Sequence, residues 1–462
     1  MSDVALTLGW VARAVGGTLR SGDPESQVGE IVTDSRTVRQ GDLFVALRGP
    51  RFDAHGFVDE VMSRGAAGAI VEAGRASGVG LIEVTDTLQA LQALAHAVRR
   101  AAGTQVIAIT GSAGKTTTKE AIAEMLATHR RVVKNKGNLN NHIGLPLSLM
   151  QLRTGPDVAV MELGMNHAGE ISTLVAIAEP DVRVWTNVGD AHLGFFASPE
   201  AIANAKAEIL ERSSAATVLV CNADDDRVMS RVRGFVGRTL TFGTVDGATV
   251  RARDIEDRGI AGMRARVSTP AGDATVETPL LGRGNFSNVL AAMTVALDAD
   301  IPLDDVTAVA SRLRPADRRG AVKQLRDQVT LIDDSYNSSP SALRRALEVV
   351  AKESHAARKV AVLGEMLELG DHARALHDAC GRAAADAGVS VLFTVGGAPA
   401  RAMADGAIAA GIPASAVRHY EKSDEAAPVV VDAIRPGDLV LVKGSRGTRT
   451  DVVVDRLVAE RG

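Results

Sequence analysis

The stretch Gly111-Ser112-Ala113-Gly114-Lys115-Thr116-Thr117 holds the residue types and spacing best suited to chemistry in this chain. It follows the apolar, β-branched run 106–110 and precedes a helix-forming segment, the order strand, phosphate-binding loop, helix. Its glycines let backbone N–H groups turn toward an anion, and the helix N-terminus adds positive potential. Lys115 would reach the terminal phosphates of a nucleotide, and the Thr116 hydroxyl would hold Mg²⁺. The loop is two residues shorter than G-x-x-x-x-G-K-[ST], so a glycine-rich turn with a solvated lysine fits the same residues.

Other candidates stand where strands end. Glu162 closes the apolar run 158–161, the position from which an acid in an α/β sheet meets a ligand, here as a second Mg²⁺ contact; a helix cap or ion pair is the competing reading. The loop 187–196 carries His192, a metal ligand or a solvated imidazole. Lys206, between Ala205 and Ala207, is either an exposed helix residue or a buried neutral amine of the kind that reacts with carbon dioxide. Asn138, Asn140 and Asn141 suit turn chemistry, and they could equally give amide contacts to a substrate beside the phosphates. Asp34-Ser35-Arg36 offers hydroxyl and guanidinium groups to a phosphorylated ligand, or is a plain surface loop. Asn288 reads as a helix cap or as an amide facing a base edge.

These groups need a scaffold, and the chain is long enough to supply one. At 462 residues, 46% hydrophobic and 23% charged, it has the composition of an ordinary globular α/β protein of several domains. Residues 1–102 read as a small N-terminal α/β domain ending in an Ala-rich helix over 88–102. Residues 103–315 alternate strands and helices as a mostly parallel, doubly wound sheet does, with an antiparallel edge from about Thr239 to Pro279. Residues 316–462 read as a Rossmann-like domain of five βα pairs, with strands at 359–363, 391–395 and 438–442 and polar groups again at strand ends. A net charge of -4 and 3% aromatics give neither the basic field nor the stacking platforms of a nucleic-acid binder. No apolar run reaches membrane-spanning length and Asp3 stands where a secretory signal needs basic residues, so a cytoplasmic protein is expected. The two cysteines, Cys221 and Cys380, form no ligand spacing and read as reduced, buried thiols.

The order of these pieces resembles the Mur ligases, ATP-dependent amide-bond formers of peptidoglycan precursor synthesis. The resemblance rests on Asp34-Ser35-Arg36 with Gly41-Asp42-Leu43-Phe44, the short Gly-x-x-Gly-Lys-Thr-Thr loop, and Gly137-Asn138-Leu139-Asn140-Asn141 with Gly144-Leu145-Pro146. In the third domain it rests on Asp333-Asp334-Ser335-Tyr336-Asn337 with Pro340 and on LGEMLELGDHARALH, 363–377. That last segment, and the lack of an Asn-Pro-Arg motif, imply the member that adds a dipeptide rather than a single amino acid.

The resemblance implies three α/β domains and roles for particular residues. Gly111 to Thr117 would hold the ATP phosphates, with Thr116 and Glu162 on one Mg²⁺ and His192 and a carbamylated Lys206 serving a second. Lys115, His192 and Lys206 would be the catalytic set. Asn288 would contact adenine, Arg319 the phosphates and Asp334 the ribose. Asp34, Ser35, Arg36, Asn138, Asn140, Asn141 and Asn337 would bind substrate. The implied partners are UDP-N-acetylmuramoyl-tripeptide and D-alanyl-D-alanine, and the implied state is a monomer. The chain departs from the family pattern at His142 and at Thr450-Asp451. The rival readings are a tripeptide-forming ligase, a P-loop kinase and an ATP-gated binding module.

Overall fold

The computed structural model describes residues 4–190 and 193–462, and in it three α/β units follow one another along the chain. The first is built on a five-stranded sheet in the order Thr18–Arg20, Leu81–Val84, Gly68–Glu72, Leu43–Val45, Ile31–Val32. Only its Thr18–Arg20 edge is antiparallel. Leu43–Val45, read from sequence as an alternating strand over 43–47, is shorter and buried at every residue. Parallel strands with both faces covered lose the alternation.

The helix Thr87–Ala102 shows why the first unit is fixed to the second. Asp86 caps its start by accepting from Gln89 N–H at 2.9 Å, and Gly103, at φ +64°, ends it. Its apolar face packs on the central helices Gly144–Leu149 and Glu170–Ala178. From its last turn, the buried Arg99 donates to the Ala178 carbonyl at 2.9 Å and to the Asp181 carboxylate at 2.7 Å.

The second unit is a nine-stranded sheet whose parallel part runs Val132–Lys134, Val158–Glu162, Gln105–Thr110, Val182–Trp185, Val218–Asn222, Arg238–Gly243. The strand leading into the phosphate loop thus has neighbours on both sides, and their carboxyl ends open on one spot. The antiparallel edge begins later than the sequence pattern indicates. Arg238–Gly243 and the start of Val250–Asp257 still pair in parallel, and only Met263–Thr269 and Gly272–Thr278 are antiparallel.

The third unit is a six-stranded sheet in the order Ala321–Gln324, Thr330–Asp334, Asp438–Lys443, Arg358–Gly364, Val391–Val395, Val417–Tyr420, parallel except at its first pair. One of its five βα pairs, Val417–Tyr420 with the helix Ser423–Ala433, has no clear place in the sequence pattern because the strand is short and polar. The sequence predicts an Ala-rich helix over 289–299 opened by the stretch 282–288; the helix is Gly282–Asp298, starting seven residues earlier because Gly282-Arg283-Gly284 joins its first turn. Among the described residues no helix is long and apolar enough to cross a membrane.

Candidate active site

The phosphate loop takes its shape from two close backbone approaches. At Gly111, φ +155°, a Cβ would stand 1.9 Å from Thr186 Oγ1; at Gly114, φ +84°, it would stand 2.2 Å from Asn288 Oδ1. A side chain at either place would strain the backbone and displace Thr186 or Asn288. Asn187 clamps the turn between them, accepting from Ala113 N–H at 3.0 Å and donating to the Ala113 carbonyl at 2.9 Å. The helix Lys115–Leu126 then begins with no side-chain cap on its N-terminus. Its free N–H groups face the cleft.

Lys115 folds back to donate to the Gly111 carbonyl at 2.8 Å. Burial lowers the pKa of its amine, with Glu162 opposing and Arg319 adding to the shift. The Thr116 hydroxyl donates to Glu162 Oε2 at 2.7 Å, and Asn140 Nδ2 donates to Glu162 Oε1 at 2.8 Å. Glu162 is held from behind as well, its N–H donating to Asn135 Oδ1 at 3.0 Å. A buried hydroxyl and a buried carboxylate beside a phosphate loop are hard oxygen donors. They fit Mg²⁺, which takes one or two protein ligands and completes its shell with water and phosphate oxygens.

Lys206 is 1% exposed, near the end of the helix Pro199–Ala207, which Ser198 caps by accepting from Ala201 N–H at 3.1 Å. Burial, and then the charge of Lys115, holds its pKa well below the ordinary lysine value. Among the described residues no carboxylate pairs with it. The end of this helical segment is tied to the sheet by Arg183, a buried guanidinium on Val182–Trp185 that donates to the carbonyls of Ile209, Glu211 and Arg212. Burial brings the Arg183 pKa down to about 10. His192 lies outside the described residues.

A cleft of about 600 Å³ joins the second and third units, lined by the phosphate loop, Asn138, Asn140, Asn141, Glu162, Asn288, Arg319, Asp334 and Asn337. Asn288 is therefore no cap; it sits in the second turn of its helix, against Gly114. Arg319 lays its guanidinium over the Tyr336 ring at 4.0 Å. Asp334 accepts from Lys443 Nζ at 2.6 Å, and burial raises its pKa against that cation's pull. Asn141 spends its carbonyl oxygen on the start of the helix Gly144–Leu149, accepting from Gly144 N–H at 2.8 Å. Asp34, Ser35 and Arg36 do not line this cleft. They form a turn of the first unit, half-buried at Asp34 and Ser35 and exposed at Arg36, in which Arg36 pairs with Asp34 at 2.7 Å, and that hydrogen bond lowers the Asp34 pKa to about 2.

The sequence reading passes over Asn135, Asn187 and Thr186, which shape the site without standing in a motif. The rule that polar residues at the carboxyl ends of strands meet ligands finds Asn135 and Asn187, which follow Val132–Lys134 and Val182–Trp185 closely. The cysteines are as expected: Cys221 and Cys380 are free and buried, and burial pushes their thiols up to about 12 and about 11.

Three α/β units with a short phosphate loop, a buried Thr–Glu pair and a cleft shared with the third unit define a class. Residues 109–296 match the Mur ligase middle domain and residues 318–446 the Mur ligase glutamate ligase domain, and the chain belongs to the Mur ligase family. Over 452 residues, 97% of each chain, it is 33% identical to UDP-N-acetylmuramoyl-tripeptide--D-alanyl-D-alanine ligase of Bacillus subtilis (strain 168). Its fold matches the crystal structure of MurF from Acinetobacter baumannii with a TM-score of 0.90 at 32% identity, covering 99% of this chain and 100% of that one. MurF ligase from Thermotoga maritima, solved in complex with ADP, matches with a TM-score of 0.82 at 30% identity, over 93% of this chain and 97% of that one.

Proposed function

We propose that this chain is an ATP-dependent ligase that joins D-alanyl-D-alanine to UDP-N-acetylmuramoyl-tripeptide, releasing ADP and phosphate. The observation that carries this reading is the buried Thr116–Glu162 pair which, with Lys115, lines a cleft that the second and third units share. The near full-length likeness to ligases of that name supports the choice of substrates.

The tripeptide's terminal carboxylate attacks the γ-phosphorus of ATP, and the bond from that phosphorus to the bridging oxygen breaks, giving an acyl phosphate and ADP. The dipeptide's free amine then adds to the acyl carbon and phosphate leaves, with the amine proton lost to solvent or to a nearby base. No protein nucleophile is needed, so the residues work by position and charge. Lys115 and the loop N–H groups hold the terminal phosphates, and Arg319 comes to them from the third unit. Thr116 and Glu162 would hold one Mg²⁺, and His192 and Lys206 would serve a second. When bound, Mg²⁺ neutralises charge on the transferring group. Lys206 is suited to carbamylation: its neutral amine adds to the carbon of carbon dioxide and loses a proton, leaving a carboxylate on the nitrogen.

Acyl phosphates hydrolyse, and a cleft walled by two units excludes water when they dock. Asp34, Ser35, Arg36 and the asparagines at 138, 140 and 141 are assigned to the UDP-peptide, and Asn337 to the acceptor side. The protein is read as a cytoplasmic monomer.

The test is ADP formation from ATP with purified UDP-N-acetylmuramoyl-tripeptide, with and without D-alanyl-D-alanine. ADP and the pentapeptide product are expected only when both are present. Turnover with a single amino acid in place of the dipeptide would point to the tripeptide-forming ligase. A stable phosphorylated product would point to a kinase, and nucleotide binding without turnover to a binding module.

A further inference from the structure

The nucleotide half of the cleft can be laid out along one helix. Asn288 lies against Gly114 of the phosphate loop, and its Nδ2 donates at 3.3 Å to Asn285 Oδ1, one turn nearer the helix start. Gly284, in the first turn of this helix, and Leu281, just before it, line the same cleft. With Asn288 taken as the contact to the base, a nucleotide whose phosphates meet Lys115 sets its base beside these residues.

Arg345 faces that end from the third unit. A Cβ on Gly284 would stand 3.1 Å from both Cδ and Nη1 of Arg345, so the glycine leaves the space that the guanidinium fills. Leu281, Ile332, Ala346 and Val349 also line the cleft, Val349 against Gly282 at the start of this helix, and give it an apolar surface suited to an aromatic ring. Arg345 Nε donates to the Ser341 carbonyl at 3.3 Å, which steadies the side chain along its own helix. No carboxylate among the described residues forms an ion pair with it. Asp190 and Glu348 attract it from farther away, and burial outweighs them, lowering its pKa. A planar cation in partly desolvated surroundings stacks on an aromatic face more strongly than one in water.

We propose that Arg345 stacks its guanidinium on the nucleobase of bound ATP and sets how tightly the base end is held. The proposal rests on the reading of this cleft as the ATP site. Arg345 is a binding residue in this role and moves no proton.

The experiment is calorimetric titration of the full-length protein with ATP and, separately, with inorganic tripolyphosphate, for wild type, Arg345→Ala and Arg345→Lys. Arg345→Ala is expected to weaken ATP about tenfold, the range of a desolvated cation–π contact, and to change tripolyphosphate affinity by less than about twofold. Arg345→Lys should behave as Arg345→Ala, because an ammonium keeps the charge without the planar face. Unchanged ATP affinity in Arg345→Ala, wild-type affinity in Arg345→Lys, or an equal loss for tripolyphosphate would each overturn the stacking role. A wild-type protein that binds no ATP would instead overturn the reading on which the proposal rests.

Discussion

Asp190, at the end of the central sheet, accepts hydrogen bonds from both the backbone N–H of Ser341, at 3.1 Å, and its hydroxyl, at 2.7 Å. Ser341 lies at the start of the helix Pro340–Lys352 in the third unit, whose own cap residue, Ser339, makes no side-chain cap bond. One unit thus caps a helix of another, and Arg344 adds a pairing to Asp190 at 3.3 Å. The adjacent Gly189 lies against Ser112 of the phosphate loop and Ser341 alike. The docked arrangement therefore bears directly on the loop that meets the phosphates.

Asp190→Ala should loosen this docking. Losing an N-cap costs about 1 kcal/mol and a half-exposed ion pair at most about as much again, so the docked state should fall roughly 5- to 30-fold relative to the undocked one. X-ray scattering with nucleotide and UDP-peptide bound should give a larger radius of gyration for the variant than for wild type. Asp190→Asn, which still caps, should fall between them. Identical radii for all three proteins would remove Asp190 from the docking contact.

Lys115→Ala should cut ADP release by about 10²-fold or more with both peptide substrates present, the usual scale for losing a donor aimed at developing charge. Among the described residues its amine bonds the Gly111 carbonyl alone, so the thermal midpoint should move little. Steady-state kinetics beside a melting curve checks both halves of this expectation.

For Lys206, the expectation is that Lys206→Ala is inactive and that formate or acetate partly restores turnover by supplying the missing carboxylate. Full-length mass measurement under bicarbonate should show wild type heavier by one carbon dioxide and the variant unchanged. Activity that no small acid restores would return Lys206 to an ordinary buried amine.

His377 gives a pH signature. Its ring is wholly buried, Nδ1–H donating to the Ala373 carbonyl at 2.6 Å and Nε2 accepting from Met366 N–H at 2.8 Å, which requires the neutral form. Burial lowers its pKa in the fold, whereas the unfolded chain protonates near about 6.5. The unfolded state takes up this proton first as pH falls. The stability His377 provides is thus complete above about 6.5 and is lost progressively below it, down to the depressed folded value. His377→Ala should be about 1–3 kcal/mol less stable at pH 8, with Met366 N–H left unpaired, and the gap to wild type should narrow toward pH 5. Denaturant melts across that range measure it; a constant gap would rule out this titration.

Much of the site was legible because phosphate binding leaves a local trace. Gly111, Gly114, Lys115 and Thr116 sit together in sequence, and Glu162 obeys the strand-end rule. Asn187 and Asn135 were not singled out because their work is to bridge loops distant in sequence, which only the folded sheet brings together. The start of the helix Gly282–Asp298 misled for a related reason. Gly284 reads as a turn residue, yet its lack of a side chain serves the approach of Arg345 from another unit. In the third unit, the polar strand Val417–Tyr420 lies at a sheet edge, where burial imposes little pattern.

Arg183 sets a length. A guanidinium in the middle of a sheet breaks the apolar pattern of Val182–Trp185, and burying it is costly unless its donors find oxygens; both terminal nitrogens do, while Nε has no partner among the described residues. Its acceptors are the carbonyls where the Lys206-bearing segment ends, so the arm of one side chain fixes how far that segment stands from the sheet. Sliding the helix by a turn would leave the cation stranded. The placement of the Lys206 amine relative to the phosphate loop is therefore inherited from the sheet, and a lysine at 183, lacking the planar fork, could not hold the same gauge.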